Sequence, residues 1–196
     1  MKYLKLFKES FSDKIVFSVR DVLLFFSKQK LPKNYVFVLL GNLEKQGIIF
    51  RLGNGFYSFK NDLLVSGFAF SPFYYGLQES LSLRNLWEQE SIPVIITPKK
   101  VRPGIRSILD SNVLIRHIDR KMFFGFDFVK QTDFQVPVST PEKTLIDFIY
   151  FKEPLSSETA KEILNNINKA SLNELLKKCS PSLKNKVEKF LEKGFY

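Results

Sequence analysis

The sequence predicts an α+β chain in two parts, and three observations carry that prediction. First, residues 17–59, reading FSVRDVLLFFSKQKLPKNYVFVLLGNLEKQGIIFRLGNGFYSF, hold two short amphipathic helices, a glycine stop and a tight glycine-containing hairpin in unbroken order. Second, residues 93–138 alternate short β-branched or aromatic runs with turn residues, as a sheet does. Third, from Ser156 onward the chain is rich in Lys and Glu at helical spacing. The first pattern is that of an N-terminal winged helix-turn-helix. The second and third describe a C-terminal α/β domain with a small mixed sheet and a helical tail.

The elements follow in order. The N-terminal stretch Met1 to Lys8 is lysine-punctuated and amphipathic, without the continuous apolar core or small-residue cleavage site of a secretory signal. Ser18 and Asp21 form an S-x-x-D capping signature ahead of Val22, Leu23, Phe25 and Phe26, which places a helix over about 19–28. Pro32 breaks it and opens a second helix, because proline is tolerated in a first turn. Val36, Leu40 and Leu43 share one face of that helix at i, i+4, i+7, and Gly47 is its left-handed stop. Residues 48–52 and 56–59 then read as strands around Gly53-Asn54-Gly55, whose residues accept positive φ, as a two-stranded wing requires. Asn61 and Asp62 read as a polar hinge, so the domains are set at residues 1–62 and 63–196.

In the second part, Ser71-Pro72 predicts a capped helix over 72–86. Strands are expected over 93–98, 113–118, 122–129 and 134–138. Ser139 or Thr140 caps a helix from Pro141 whose Leu145, Ile146, Phe148 and Ile149 should face the sheet. The helical tail should break near Ala170-Ser171 and Ser180-Pro181. The phenylalanine clusters at 25–26, 68–73 and 123–128 are read as core.

Charge distribution points to the partner. Residues 1–62 hold 11 Lys and Arg against 5 Asp and Glu, whereas 63–150 hold 10 against 9 and 151–196 hold 9 against 6. A basic excess clustered on a helix-turn-helix is the footprint of a polyanion. With the apolar positions of the second helix turned inward, Asn34, Phe37, Val38, Gly41, Asn42 and Lys45 point outward. The expected DNA-binding set is therefore Lys33, Asn34, Asn42 and Lys45 on the helix, with Arg51 and Asn54 from the wing. Asn pairs bidentately with adenine, while Lys33 and Lys45 reach phosphates. A second basic cluster, Lys99, Lys100, Arg102 and Arg106, reads either as a solvated loop or as an additional surface for phosphate, RNA or a partner protein. A docking module that contacts protein through Phe37 and Val38 is the competing class.

The residues present do not assemble a catalytic constellation. No phosphate loop or dinucleotide fingerprint occurs. The single histidine, His117, flanked by Ile115, Arg116 and Ile118, reads as structural or partly buried. Asp110, Asp119, Asp127 and Asp133 are candidate Mg²⁺ ligands by chemistry but show no D-x-D spacing. Glu142 suits a helix N-terminus, and Lys143 is expected to snorkel to solvent. Cys179 is the only cysteine, which rules out an internal disulfide. The expectation is a chain with no catalytic residues, no metal, no cofactor and no enzyme activity. No apolar run reaches the roughly 18 residues of a membrane span; neither that nor the N-terminus points to a membrane or secretion, and a cytoplasmic location is expected.

Five strings extend this reading. RLGNGFY resembles the R-L-G-R-G-x-Y wing of AbiEi-type proteins, the antitoxin and transcriptional-regulator component of abortive-infection, type IV toxin-antitoxin systems. SPFYYGLQESLSLRNL is similar to that family's SPYYISLxSALxxxGL helix, ITPKKVRP to its V-T-x-x-R strand end, MFFGF to its FFG strand, and VSTPEKTLIDFIYF to its AsPEKALLDLLYL helix. The order is the family's, over roughly residues 17–151. The resemblance implies a DNA-binding regulator that represses its own promoter and counters a nucleotidyltransferase toxin of the AbiEii type. It equally admits a solitary regulator without a toxin, and it leaves a homodimer open. Two departures bear on DNA: Asn54 stands where the wing often has arginine, and Phe37 and Val38 stand where Ser, Thr or Arg is expected.

Overall fold

The structure is a computed structural model that describes residues 2–86, 92–131 and 133–193; the end of the predicted tail lies outside them. It is an α+β chain whose helices accompany a three-stranded and a six-stranded sheet. Two compact units divide it: Met1–Ser71 with Ser107–Asn112, and Pro72–Arg106 with Val113–Tyr196.

The first unit opens with α1 (Lys2–Phe11), β1 (Phe17–Ser18), α2 (Val19–Ser27) and α3 (Lys33–Lys45). β2 (Phe50–Gly53) and β3 (Phe56–Ser58) follow. The capping signature is a complete box: the Asp21 N–H donates to the Ser18 hydroxyl at 3.1 Å, and the Asp21 carboxylate accepts from the Ser18 N–H at 2.8 Å. α3 has Pro32 at its N-cap, where the missing N–H costs nothing. It ends in a Schellman motif, with Gly47 at φ +66°, its N–H on the Glu44 carbonyl at 3.0 Å and the Ile48 N–H on the Leu43 carbonyl at 2.9 Å.

β2 and β3 pair antiparallel, Phe50 opposite Ser58 and Arg51 opposite Tyr57, with a bulge between Arg51 and Gly53. Gly53, Asn54 and Gly55 all take positive φ between them. β1 joins the free side of β3, giving the order β1-β3-β2. Two further bonds fix this arrangement. The Val19 N–H donates to the Gly55 carbonyl at 2.8 Å, and the buried Ser58 hydroxyl donates to the Ile15 carbonyl at 2.7 Å.

The core of this unit is aromatic. Phe7 and Phe11, at i, i+4 on α1, stack at 5.2 Å between ring centroids, and both pack on Phe17, at 5.4 and 5.3 Å. Val22, Phe26, Val36, Leu40, Leu43, Ile49 and Tyr57 complete it. Each fully buried phenylalanine contributes about 1.5–3 kcal/mol, so α1 is held by its Phe pair. The unit also runs past the expected boundary at residue 62. The Asp62 carboxylate accepts from the Leu64 N–H at 2.9 Å and caps a 3₁₀ helix, Leu63–Phe70, whose Val65, Ala69 and Phe70 are buried. The hinge residue is a cap.

The capping box allows a first prediction. The Ser18 hydroxyl bond holds the Asp21 carboxyl below its ordinary value of 3.8, opposed by partial burial. Because the folded value is the lower one, this stabilisation is present above the unfolded pKa and is lost as pH falls through the folded value. Ser18→Ala should cost about 1 kcal/mol at neutral pH, with the gap to the parent chain shrinking in acid. Urea melts across that range measure it; a gap that does not narrow would count against the box.

β4 (Tyr74–Tyr75), α4 (Gln78–Leu83) and β5 (Val94–Thr97) of the second unit lead to β6 (Gly104–Ile108) and β7 (Ser111–His117), whose residues 107–112 count with the first unit, and then to β8 (Phe126–Lys130) and β9 (Gln135–Ser139). The sheet order is β6-β7-β5-β4-β9-β8, with β5–β7 and β4–β9 parallel and β4–β5 and β8–β9 antiparallel. α5 (Pro141–Phe151), α6 (Ser157–Asn165), α7 (Lys169–Leu176) and α8 (Pro181–Lys193) close the chain. Leu145, Ile146 and Phe148 of α5 are buried in the core with Tyr74, Ile96, Ile163, Leu176 and Val187.

Four expectations are corrected here. The helix over 72–86 is a strand followed by a six-residue helix, since Tyr74 and Tyr75 are fully buried in the middle of the sheet and Leu77 takes φ +56°. The strand expected from Met122 begins at Phe126, because Arg120–Met122 is a 3₁₀ turn capped by Asp119. The tail breaks at 166–168 and not at 170–171: Asn168 caps α7 by accepting from the Ser171 N–H at 3.1 Å. Phe128 is 65% exposed on the edge strand β8, outside the core assigned to it.

Candidate nucleic-acid interface

α3 turns Val36, Leu40 and Leu43 inward, so its opposite face is available. Asn34, Asn42 and Lys45 are exposed on it, Lys33 is exposed in the first turn of the helix, and Phe37 and Val38 are 53% and 59% exposed. Arg51 is exposed on β2, its guanidinium 5.8 Å from the centre of the Tyr57 ring, and Asn54 is exposed at the turn with φ +53°. Burial pushes the Tyr57 hydroxyl up, with Arg51 acting against it. Lys33, Lys45 and Arg51 form no ion pair with any described carboxylate. Three cations without an ion pair to a described carboxylate and three amides are thus exposed on α3 and the hairpin that follows it.

The second basic cluster divides. Lys99, Lys100 and Arg102 are exposed in the loop after β5, as a solvated loop would have them. Arg106 is half-buried on β6 and donates to the Arg102 carbonyl at 3.0 Å, which bends the loop back on its own strand.

Sequence reasoning missed a buried polar cluster in the second unit. Lys143 is fully buried, not snorkelled, and pairs with the equally buried Asp147 one turn along α5. Asp147 also accepts from the Tyr74 hydroxyl at 2.9 Å. The Lys143 ammonium lies 5.5 Å from the Tyr74 ring centre and 5.2 Å from that of Phe124. Burial pushes the Asp147 carboxyl up, countered by Lys143 and then by the bonds it accepts; burial, then Asp147, drives the Tyr74 hydroxyl well above its ordinary value. Beside this cluster the Ser80, Thr144 and Ser139 hydroxyls form a chain at 2.8 Å per link. Glu142 is buried too, accepting from the Asn168 N–H at 2.8 Å, which ties the start of α5 to the start of α7. The signal was present: Lys and Asp at i, i+4 in a helix whose intervening residues, Thr144, Leu145 and Ile146, carry no charge.

Gly125 belongs to the same cluster. It takes φ +74°, and a Cβ there would stand 3.0 Å from Lys143 Cβ and 3.1 Å from Leu175 Cδ1. Gly125→Ala should therefore cost about 1–3 kcal/mol from backbone strain alone, with steric crowding added. Thermal melts of this variant beside Gly104→Ala, where φ is also positive but the space is open, separate the two contributions; equal losses would exclude a packing role.

Two of the candidate Mg²⁺ ligands, Asp127 and Asp119, have structural partners. Asp127 pairs with Arg84, whose guanidinium also donates to the Ser139 and Val138 carbonyls at 2.8 and 3.1 Å. Asp119 caps the 3₁₀ turn, and Asp110 sits at φ +58° in the turn before β7. His117 is exposed, where partial burial was expected: alternation puts it on the face of the buried Val113 and Ile115, but it is the last residue of β7. Burial raises the Cys179 thiol, whose Sγ contacts the Leu175 carbonyl at 3.5 Å. Among the described residues no group of three or more His, Cys, Asp or Glu is placed to hold a metal ion, and no helix is long and apolar enough to cross a membrane. Neither the models of known protein families nor the sequences of curated proteins give a match to this chain.

Proposed function

We propose that the first unit is a winged helix-turn-helix that binds duplex DNA at its own promoter, and that the chain is the regulator and antitoxin of a type IV toxin-antitoxin pair, countering a nucleotidyltransferase toxin. The observation that carries the DNA reading is the outward face of α3. Asn34, Asn42 and Lys45 project there, Lys33 is exposed in the first turn, and neither lysine pairs with a described carboxylate; Arg51 and Asn54 follow on the hairpin. A helix with that face enters a major groove, its amides reading base edges and its cations and those of the wing holding phosphates. The antitoxin role rests on the five motifs that resemble the AbiEi type, four of which lie in the second unit.

The test is binding of the full chain to the duplex upstream of its own gene, in competition with random duplex. The operator should win by at least about a thousandfold at moderate salt. Equal affinity for both would remove the regulator reading. Co-expression with a nucleotidyltransferase encoded beside it should restore growth; where no such gene exists, the solitary regulator is the surviving form. The exposure of Phe37 and Val38 favours one other reading, a module that docks protein through the same helix.

A further inference from the structure

We infer that the second unit carries its own binding site for one nucleotide of a single-stranded nucleic acid, in a cleft lined by Pro72, Pro98, Lys99, Arg120 and Phe123. The cleft has a volume of about 290 Å³, the small end of ligand pockets and suited to one nucleotide unit.

Its position follows from the sheet. β5 and β7 are parallel neighbours with Thr97 opposite His117, so the loops after both strands leave from the same edge. Ligands of such sheets sit outside the carboxyl ends of parallel strands. Three bonds hold the rim. The Thr97 hydroxyl donates to the Pro72 carbonyl at 2.7 Å and accepts from the Lys99 N–H at 3.1 Å, and the Ile118 N–H donates to the Thr97 carbonyl at 3.0 Å. The segment before β4, the loop after β5 and the loop after β7 are thereby tied at one residue. The walls are preformed.

The lining supplies two chemistries. Lys99 and Arg120 are exposed and form no ion pair with a described carboxylate, as is true of Lys100, Arg102 and Lys121 nearby in the same loops. The nearest acid in sequence, Asp119, is engaged by the Lys121 N–H at 2.8 Å. Phe123 offers a half-buried ring fixed from behind by Phe126 and Tyr74, at 4.9 and 5.5 Å between centroids. Available cations beside a fixed aromatic ring are the parts of a single-strand site: phosphate on the cations, a base against the ring, no edge readout. The site is independent of α3, and no sequence motif links Arg120 or Phe123 to the Lys99 cluster.

The experiment uses the full chain with α3 disabled by Lys33→Glu and Lys45→Glu, and a fluorescein-labelled oligo(dT) followed by anisotropy. Single-strand binding should survive those changes and weaken about tenfold or more on Lys99→Glu with Arg120→Glu, two exposed positions that leave the fold intact by circular dichroism. An abasic strand of equal length should bind more weakly than oligo(dT), and a 4-thiothymidine strand should crosslink to the peptide containing Phe123. Oligo(dT) binding that disappears with the α3 changes, that ignores Lys99→Glu and Arg120→Glu, or that is equalled by the abasic strand would overturn the site. Duplex binding through α3 is read separately, in the chain with α3 intact.

Discussion

Replacing Asp147 with alanine is expected to cost about 3–5 kcal/mol of folding stability, because it leaves the Lys143 ammonium buried without its counter-charge. For a domain whose net stability is about 5–15 kcal/mol, that brings the second unit close to unfolding at ordinary temperature. The loss is not the worth of the ion pair. It is the cost of an unpaired charge, added to that of a Tyr74 hydroxyl deprived of its acceptor. The distinction is testable: Lys143→Met, Asp147→Leu and Tyr74→Phe together remove every polar atom of the triad and should recover most of the stability that Asp147→Ala forfeits. Urea unfolding of the two variants decides it. An Asp147→Ala chain within about 1 kcal/mol of the parent would mean that water reaches the site and that Lys143 is not dry.

The same cluster explains what was legible in the sequence and what was not. α2, α3 and α5 were readable because each announces itself locally, by Ser18 and Asp21, by Pro32 and Gly47, and by Thr140 with Pro141. The turn at Gly53-Asn54-Gly55 was readable for the same reason, since its positive φ values select those residues. β4 was not. Tyr74 and Tyr75 follow a Ser-Pro pair that reads as a helix start, and only their neighbours in the sheet, residues far along the chain, make them a strand. Lys143 failed for a related reason: its solvent preference was overridden by Asp147, Tyr74 and Phe124 converging on it. The outward residues of α3 came through because one helix face determines the other. The cleft at Lys99 did not, because Arg120 and Phe123 reach it from the 3₁₀ turn after β7.

On α3 and the hairpin after it, the largest functional effect is expected from removing Lys33, Lys45 and Arg51 together. Each phosphate-holding cation taken away should lower the slope of log affinity against log salt by close to 1, so the triple alanine variant should flatten it by about 3 units and weaken operator and random duplex alike. All three side chains are exposed and outside any ion pair with a described carboxylate, so the fold should not register the change. Asn42→Ala should behave oppositely. An amide that reads adenine carries about 1–3 kcal/mol of discrimination, so its loss should narrow the gap between operator and random duplex while leaving the salt slope in place. The pair of results separates holding from reading. Phe37 supplies the opposing arm: at 53% exposed on the same face, it would be spared by a groove-binding helix that meets only thymine methyls, and Phe37→Ser should then change DNA affinity less than the triple variant does. A salt slope unmoved by the loss of three cations, together with a partner protein released by Phe37→Ser, would reassign this face of α3 from DNA to protein docking.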